Sequence, residues 1–183
     1  MNLPNRLTLL RVALIPAVIL FLSIEQPASQ ALALGLFIIA ALTDLLDGYL
    51  ARRDQAVTNF GKFLDPVADK LLVLSTMIAF CGQGRIPAWV CIVILFREIA
   101  VDGLRLVAVE QGKVIAAGNL GKVKTGTQIA MLILVFLRNW PFGTFPMETI
   151  LMLAAVVMTL WSGVDYFMKN REVLNLSAGG EKL

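Results

Sequence analysis

The sequence predicts an all-α integral membrane protein with six transmembrane helices and both termini in the cytoplasm. Three observations carry that expectation. The 183-residue chain is 58% hydrophobic with a mean hydropathy of +0.78, well above the roughly 45–50% apolar content of soluble domains. Apolar stretches near the ~20 residues needed to cross the hydrocarbon core alternate with short links that hold Pro or Gly. Lysines and arginines then fall almost wholly on one side of the membrane.

The first span is placed near residues 7–23. Arg6 and Arg11 ahead of its apolar run would also suit a cleaved signal peptide, but no clear A-x-A site follows directly and five further spans come after it, so a retained helix is expected. Pro27 marks the link to the second span, 30–53, and a turn near Thr58 and Asn59 leads into the third, 61–80. Gly82 and Gly84 separate this from the fourth, 86–109, and Gly112 and Gly118 from the fifth, 119–138. Pro141, Gly143 and Pro146 precede the sixth, 147–168. Such short links favour an antiparallel bundle, taken as one catalytic domain over 1–176 with a flexible tail, SAGGEKL, over 177–183. With the amino terminus inside, only Arg85 and Arg138 lie outside, and the remaining basic residues, apart from Arg97 in mid-span, lie inside.

Composition also excludes chemistry. Histidine is absent, which removes histidine bases and histidine metal ligands. Cys81 and Cys91 are too few for a disulfide framework and read as packing residues. Gly103, Gly118, Gly126 and Gly163 read as close-packing or turn positions, Trp140 and Trp161 as interfacial or packing residues, and Asp165 receives no role.

Charges inside spans are the informative feature, because each costs about 2.5–3.5 kcal/mol on insertion scales unless it faces protein, water or ligand. Asp44 and Asp47 lie three apart in the second span, and Asp65 and Asp69 four apart in the third, so each pair shares a helix face. The two spans run in opposite directions, which puts all four in the cytoplasmic half. Four carboxylates brought together in a low dielectric repel unless cations neutralise them. Arg52 and Lys62 offset part of the charge; a pair of hard divalent ions does so more fully, and oxygen-only ligands point to magnesium, manganese or calcium rather than zinc. Two such ions form a known clamp for phosphoryl transfer. Gly48, Ala51 and Gly61 lack the bulk that would keep a phosphate from the backbone. Surface ion pairing is the plainer reading, and it suits Arg53 and Asp54.

These residues fill the pattern D-x2-D-G-x2-A-R-x8-G-x3-D-x3-D, from Asp44 to Asp69, without a departure. At roughly one in twenty per position, chance would produce it on the order of 10^-10 per starting point. In this pattern the chain resembles the CDP-alcohol phosphotransferase family. The segments LPNRLTLLR, REIAVDGLR and GNLGKVKT resemble the branch that uses glycerol 3-phosphate as acceptor, so the likeness spans nearly the whole chain.

The resemblance implies transfer of a phosphatidyl group from CDP-diacylglycerol to sn-glycerol 3-phosphate with release of CMP. It implies two divalent cations, Mg2+ or Mn2+, held by Asp44, Asp47, Asp65 and Asp69, with Asp69 also the base on the acceptor hydroxyl. Gly48, Ala51, Arg52, Gly61 and Lys62 would face the CDP group, as would Asn5, Thr8 and Arg11 of the first span, for which capping and head-group contact are the competing reading. The acceptor brings its own phosphate, so a second basic cluster is expected: Arg105, Lys122 and Lys124, with Arg97 reaching from deeper. Positive-inside topology is the alternative for Lys122 and Lys124, and an ion-pair ladder with Glu98 and Asp102 the alternative for Arg97.

Membrane lipids and a second copy of the chain, as a homodimer, are the other expected partners, and nothing points to nucleic acid. The expected location is the bacterial cytoplasmic membrane, with the site facing the cytosol. Serine, inositol or inositol phosphate would satisfy the same aspartate pattern as acceptors. A divalent-cation transporter also explains intramembrane aspartates, but its path should stay polar across the membrane, and ALALGLFIIA and LLVLSTMIAF are almost devoid of polar residues.

Overall fold

The computed structural model describes residues 3–54, 59–113, 115 and 118–174. Side chains are described for these apart from 3–4, 44–54, 59–63, 65–66 and 119. Among the described residues there are six α-helices and no strand: α1 Leu3–Ser23, α2 Pro27–Asp54, α3 Asn59–Gly82, α4 Ala88–Glu110, α5 Asn119–Phe136 and α6 Met147–Lys169. Two short 3-10 turns follow α5 and α6, at Trp140–Phe142 and Arg171–Leu174. The tail expected from Ser177 lies outside the described residues.

Helix ends depart from the expected spans by a few residues, for identifiable reasons. Pro27, expected in a link, is instead the first residue of α2, a position where its missing N–H costs nothing. Asn59, expected in a turn, opens α3. Three helices stop through the same left-handed device. At α3 the N–H of Arg85 reaches the carbonyl of Phe80 and Gly84 takes φ +70°; at α4 the N–H of Lys113 reaches Ala108 and Gly112 takes φ +71°. At α5 the residues are Arg138 and Asn139, with φ 50° and 56°, which ends the helix at Phe136 rather than at 138.

The chain divides into two compact units, Met1–Pro87 with Leu132–Phe145, and Ala88–Met131 with Pro146–Leu183. In the first, α1 packs on α2 and α3. The buried face of α1 reads Asn5, Thr8, Arg11, Ile15, Val18, Leu22, a three-to-four spacing whose first half is polar and second half apolar. Phe37, Phe80 and Phe136 close the apolar end, with ring centroids 5.5 Å apart for Phe37 and Phe136 and 4.7 Å for the edge-on pair Phe80 and Phe136. Gln30 and Gln83 each donate to the carbonyl of Leu22, both at 2.8 Å, so the last turn of α1 has its orphan acceptor satisfied from two neighbours.

In the second unit α4 packs on α6. The buried stripe of α4 is Val90, Ile94, Glu98, Val101, Leu104 and Ala108, with a carboxylate at its centre. Below it, Val101, Leu104, Ala108, Tyr166 and Val173 form an apolar cluster.

Two helices, Asn5–Ser23 within α1 and Met147–Lys169, are long and apolar enough to cross a membrane among the described residues, and Pro27–Thr43 forms a shorter apolar segment. The six expected spans are thus six helices, but not six uniformly apolar ones. In α4 the reason is visible: Arg97, Glu98, Asp102 and Arg105 interrupt it, and a span with that much charge depends on neighbouring helices rather than lipid to accommodate it.

Candidate active site

Asp44 and Asp47 occupy helical positions in α2, and Asp65 and Asp69 in α3, so the register expected for each pair is present in the backbone. Apart from Asp69, the side chains of this set lie outside the described residues, as do those of Gly48, Ala51, Arg52, Gly61 and Lys62. Asp69 is half-buried, and its Oδ1 accepts a hydrogen bond and ion pair from Nη1 of Arg11, 58 residues earlier. The Arg11 side chain is wholly buried. Thr8 and Asn5 continue the same buried face about one and two turns towards the start of α1. All three side chains are buried, and Arg11 reaches α3.

Donor chemistry fits a hard divalent cation. The set is carboxylate only, in a chain without histidine, and α2 and α3 pack together within one unit. Among the described residues no group of three acidic, cysteine or histidine side chains gathers elsewhere.

The four expected acceptor-binding residues separate into different roles. Lys124 is buried on α5 and donates from Nζ to Oε1 of Glu98. Arg97 donates from Nη1 to the same carboxylate oxygen at 3.3 Å and from Nη2 to Oγ of Ser162 at 2.6 Å. The Arg97 stem lies against Gly163, where an added Cβ would come within 3.1 Å of Cγ. At Gly103, Gly118 and Gly126 such an atom would meet nothing within 4 Å among the described residues, so close packing accounts for Gly163 alone. Gln128 donates to Oγ1 of Thr159 at 3.0 Å, extending the polar layer.

Arg105 is arranged differently. Its Nε donates to Oη of Tyr166 at 3.0 Å, and its guanidinium has no further partner among the described residues. Lys122 is exposed. Tyr166 also lines a cleft of about 410 Å3 with Lys113, Asp165, Lys169, Asn170 and Glu172, and Asp165 pairs with Lys169 at 2.9 Å in its wall.

Sequence reasoning had noted Glu98 only as a rung of a ladder within α4. Its partner on α5 and the contacts of Ser162 and Tyr166 were missed. The available signal was polar residues at i and i+4 in the apolar run LWSGVDYF, the spacing that sets two side chains on one helix face.

The CDP-alcohol phosphatidyltransferase family model matches residues 1–161. The chain belongs to that family. Membership makes it an enzyme, a transferase of phospholipid biosynthesis at the membrane. It is 45% identical to the CDP-diacylglycerol--glycerol-3-phosphate 3-phosphatidyltransferase of Bacillus subtilis, across 96% of this chain and 98% of that protein. It is 39% identical to the enzyme of the same name from Rickettsia bellii, across 91% and 93%. A rice protein named cardiolipin synthase (CMP-forming) is 36% identical across 95% of this chain and 59% of its own length.

Proposed function

We propose that this enzyme transfers the phosphatidyl group of CDP-diacylglycerol to the 1-hydroxyl of sn-glycerol 3-phosphate, giving phosphatidylglycerophosphate and CMP. The observation that carries the reading is the 45% identity, over nearly the full length of both chains, to an enzyme named for that reaction, together with an aspartate pattern without a departure.

In this reading Asp44, Asp47, Asp65 and Asp69 would hold two divalent cations, Mg2+ or Mn2+, whose charge would polarise the donor's diphosphate. Asp69 takes the proton from the acceptor hydroxyl as its oxygen forms the new bond to the β-phosphorus. The bond from that phosphorus to the CMP oxygen breaks, and CMP leaves with the electron pair. Arg52 would meet the charge on the leaving phosphate, and Asn5, Thr8 and Arg11 would line the CDP pocket together with Gly48, Ala51, Gly61 and Lys62. Arg105 presents its terminal nitrogens to the acceptor's phosphate, a match for two-point recognition of an oxyanion. Lys122 adds a mobile positive charge, whereas Lys124 and Arg97 act through Glu98.

We place the protein in the bacterial cytoplasmic membrane, as one catalytic domain over 1–176 and as a homodimer, with both termini and the site on the cytosolic side. That placement suits the substrates: the donor's acyl chains stay in lipid while CMP and glycerol phosphate remain in water.

Purified protein is expected to release CMP from CDP-diacylglycerol with glycerol 3-phosphate and not with serine, inositol or inositol phosphate. Release with one of those three and none with glycerol 3-phosphate would reject the acceptor assignment. Chelation with EDTA is expected to abolish release, and excess Mg2+ or Mn2+ to restore it; full activity in EDTA would remove the metal reading.

A further inference from the structure

We infer that Tyr166 is a positioning residue for the acceptor's phosphate, acting through Arg105. The inference rests on the reading of Arg105 given above and assigns its orientation to a side chain on another helix.

Arginine recognises a phosphate by its planar fork, and the fork is useful only if the plane is held. A long side chain on α4 has four rotatable bonds, so something else must fix it. Nε of Arg105 donates to Oη of Tyr166 at 3.0 Å, which ties down the inner edge of the guanidinium. The two terminal nitrogens are engaged by no described side chain. Arg97, eight residues earlier on the same helix, shows the opposite pattern, with both terminal nitrogens taken up by Glu98 and Ser162. Among the described residues, Arg97 thus has its fork closed by protein and Arg105 has its fork open.

The post that holds Arg105 is itself rigid. Tyr166 is 7% exposed, and its ring packs in the cluster of Val101, Leu104, Ala108 and Val173. Its backbone carbonyl accepts from Nδ2 of Asn170 at 2.7 Å. The guanidinium carbon lies 5.4 Å from the ring centroid, within the range of a cation–π contact. A donor bonded to the phenolic oxygen sits at the ring's hydroxyl edge, however, where the quadrupole offers little to a cation. The contact is therefore a hydrogen bond, and removing the hydroxyl while keeping the ring removes it.

The experiment uses full-length enzyme in detergent or vesicles and measures CMP release against each substrate in turn. Tyr166→Phe is expected to raise KM for glycerol 3-phosphate roughly 5- to 30-fold, leaving KM for CDP-diacylglycerol and the thermal unfolding midpoint unchanged. A purely structural tyrosine would move both KM values or the midpoint. The coupling is tested with Arg105→Ala, expected to raise the acceptor KM by a larger factor on its own. Tyr166→Phe should add nothing in that background, since two residues acting as one unit are not additive. An unchanged acceptor KM in Tyr166→Phe, or a full additional loss in the Arg105→Ala background, would overturn the inference. Wild-type enzyme that ignores glycerol 3-phosphate would overturn the parent reading instead, and that result is known before any variant is made.

Discussion

Replacing Asp69 with asparagine is expected to lower CMP release by roughly 10^2- to 10^4-fold, the range associated with loss of a general base, while donor binding and folding persist. The asparagine side chain has the same shape and keeps a carbonyl oxygen at the position where Asp69 accepts from Arg11. It cannot take a proton. The Arg11 guanidinium is wholly buried, so losing the negative charge of its partner costs some stability; the half-exposed carboxylate end and the oxygen that asparagine retains moderate that cost, and it is read separately from the loss of rate. CMP release, binding of CDP-diacylglycerol and the unfolding midpoint of the same preparation separate the three quantities. Wild-type turnover in Asp69→Asn would remove this residue as the base. Loss of folding together with activity would make it a structural partner of Arg11.

Glu98→Ala carries the largest expected effect on stability, about 3–5 kcal/mol, because it leaves Lys124 and Arg97 buried without the carboxylate they share. The side chains of Glu98 and Lys124 are each 8% exposed, so little solvent is available to take over. Replacing Glu98 and Lys124 together, Glu98→Met with Lys124→Met, should recover the part of the loss that belongs to Lys124, while Arg97 keeps only its contact with Ser162. Thermal unfolding of the single and double variants in one detergent decides the matter. If Glu98→Ala unfolds within about 0.5 kcal/mol of wild type, the scale of an ordinary surface substitution, the carboxylate is not what neutralises the two cations. If the double variant is no more stable than the single, the Lys124 charge is not what the cost comes from.

How much of this was legible beforehand depended on the kind of signal. The helices were legible because apolar runs bounded by Gly and Pro leave little freedom, and the observed bounds fall within a few residues of those expected. Their ends were less so: whether Pro27 sits before a helix or opens one, and whether Arg138 continues α5 or turns left-handed, are settled by backbone geometry rather than residue type. The aspartate pattern was legible because its spacing is periodic within two helices. The fate of Lys124 was not. A lysine at the end of a span looks the same in sequence whether it faces head groups or a glutamate 26 residues earlier, and only tertiary packing distinguishes the two. Arg97 and Arg105 illustrate the same limit, since identical side chains two helical turns apart differ in which nitrogens are occupied.

The buried face of α1, polar in its first half and apolar in its second, bears on how the chain is made. Arg11 meets Asp69 only after another 58 residues have been synthesised, so this contact joins segments far apart in the chain and forms late. Contacts of that separation need the intervening loop closed before they repay it, which ties completion of the polar half of the α1 face to the arrival of α3.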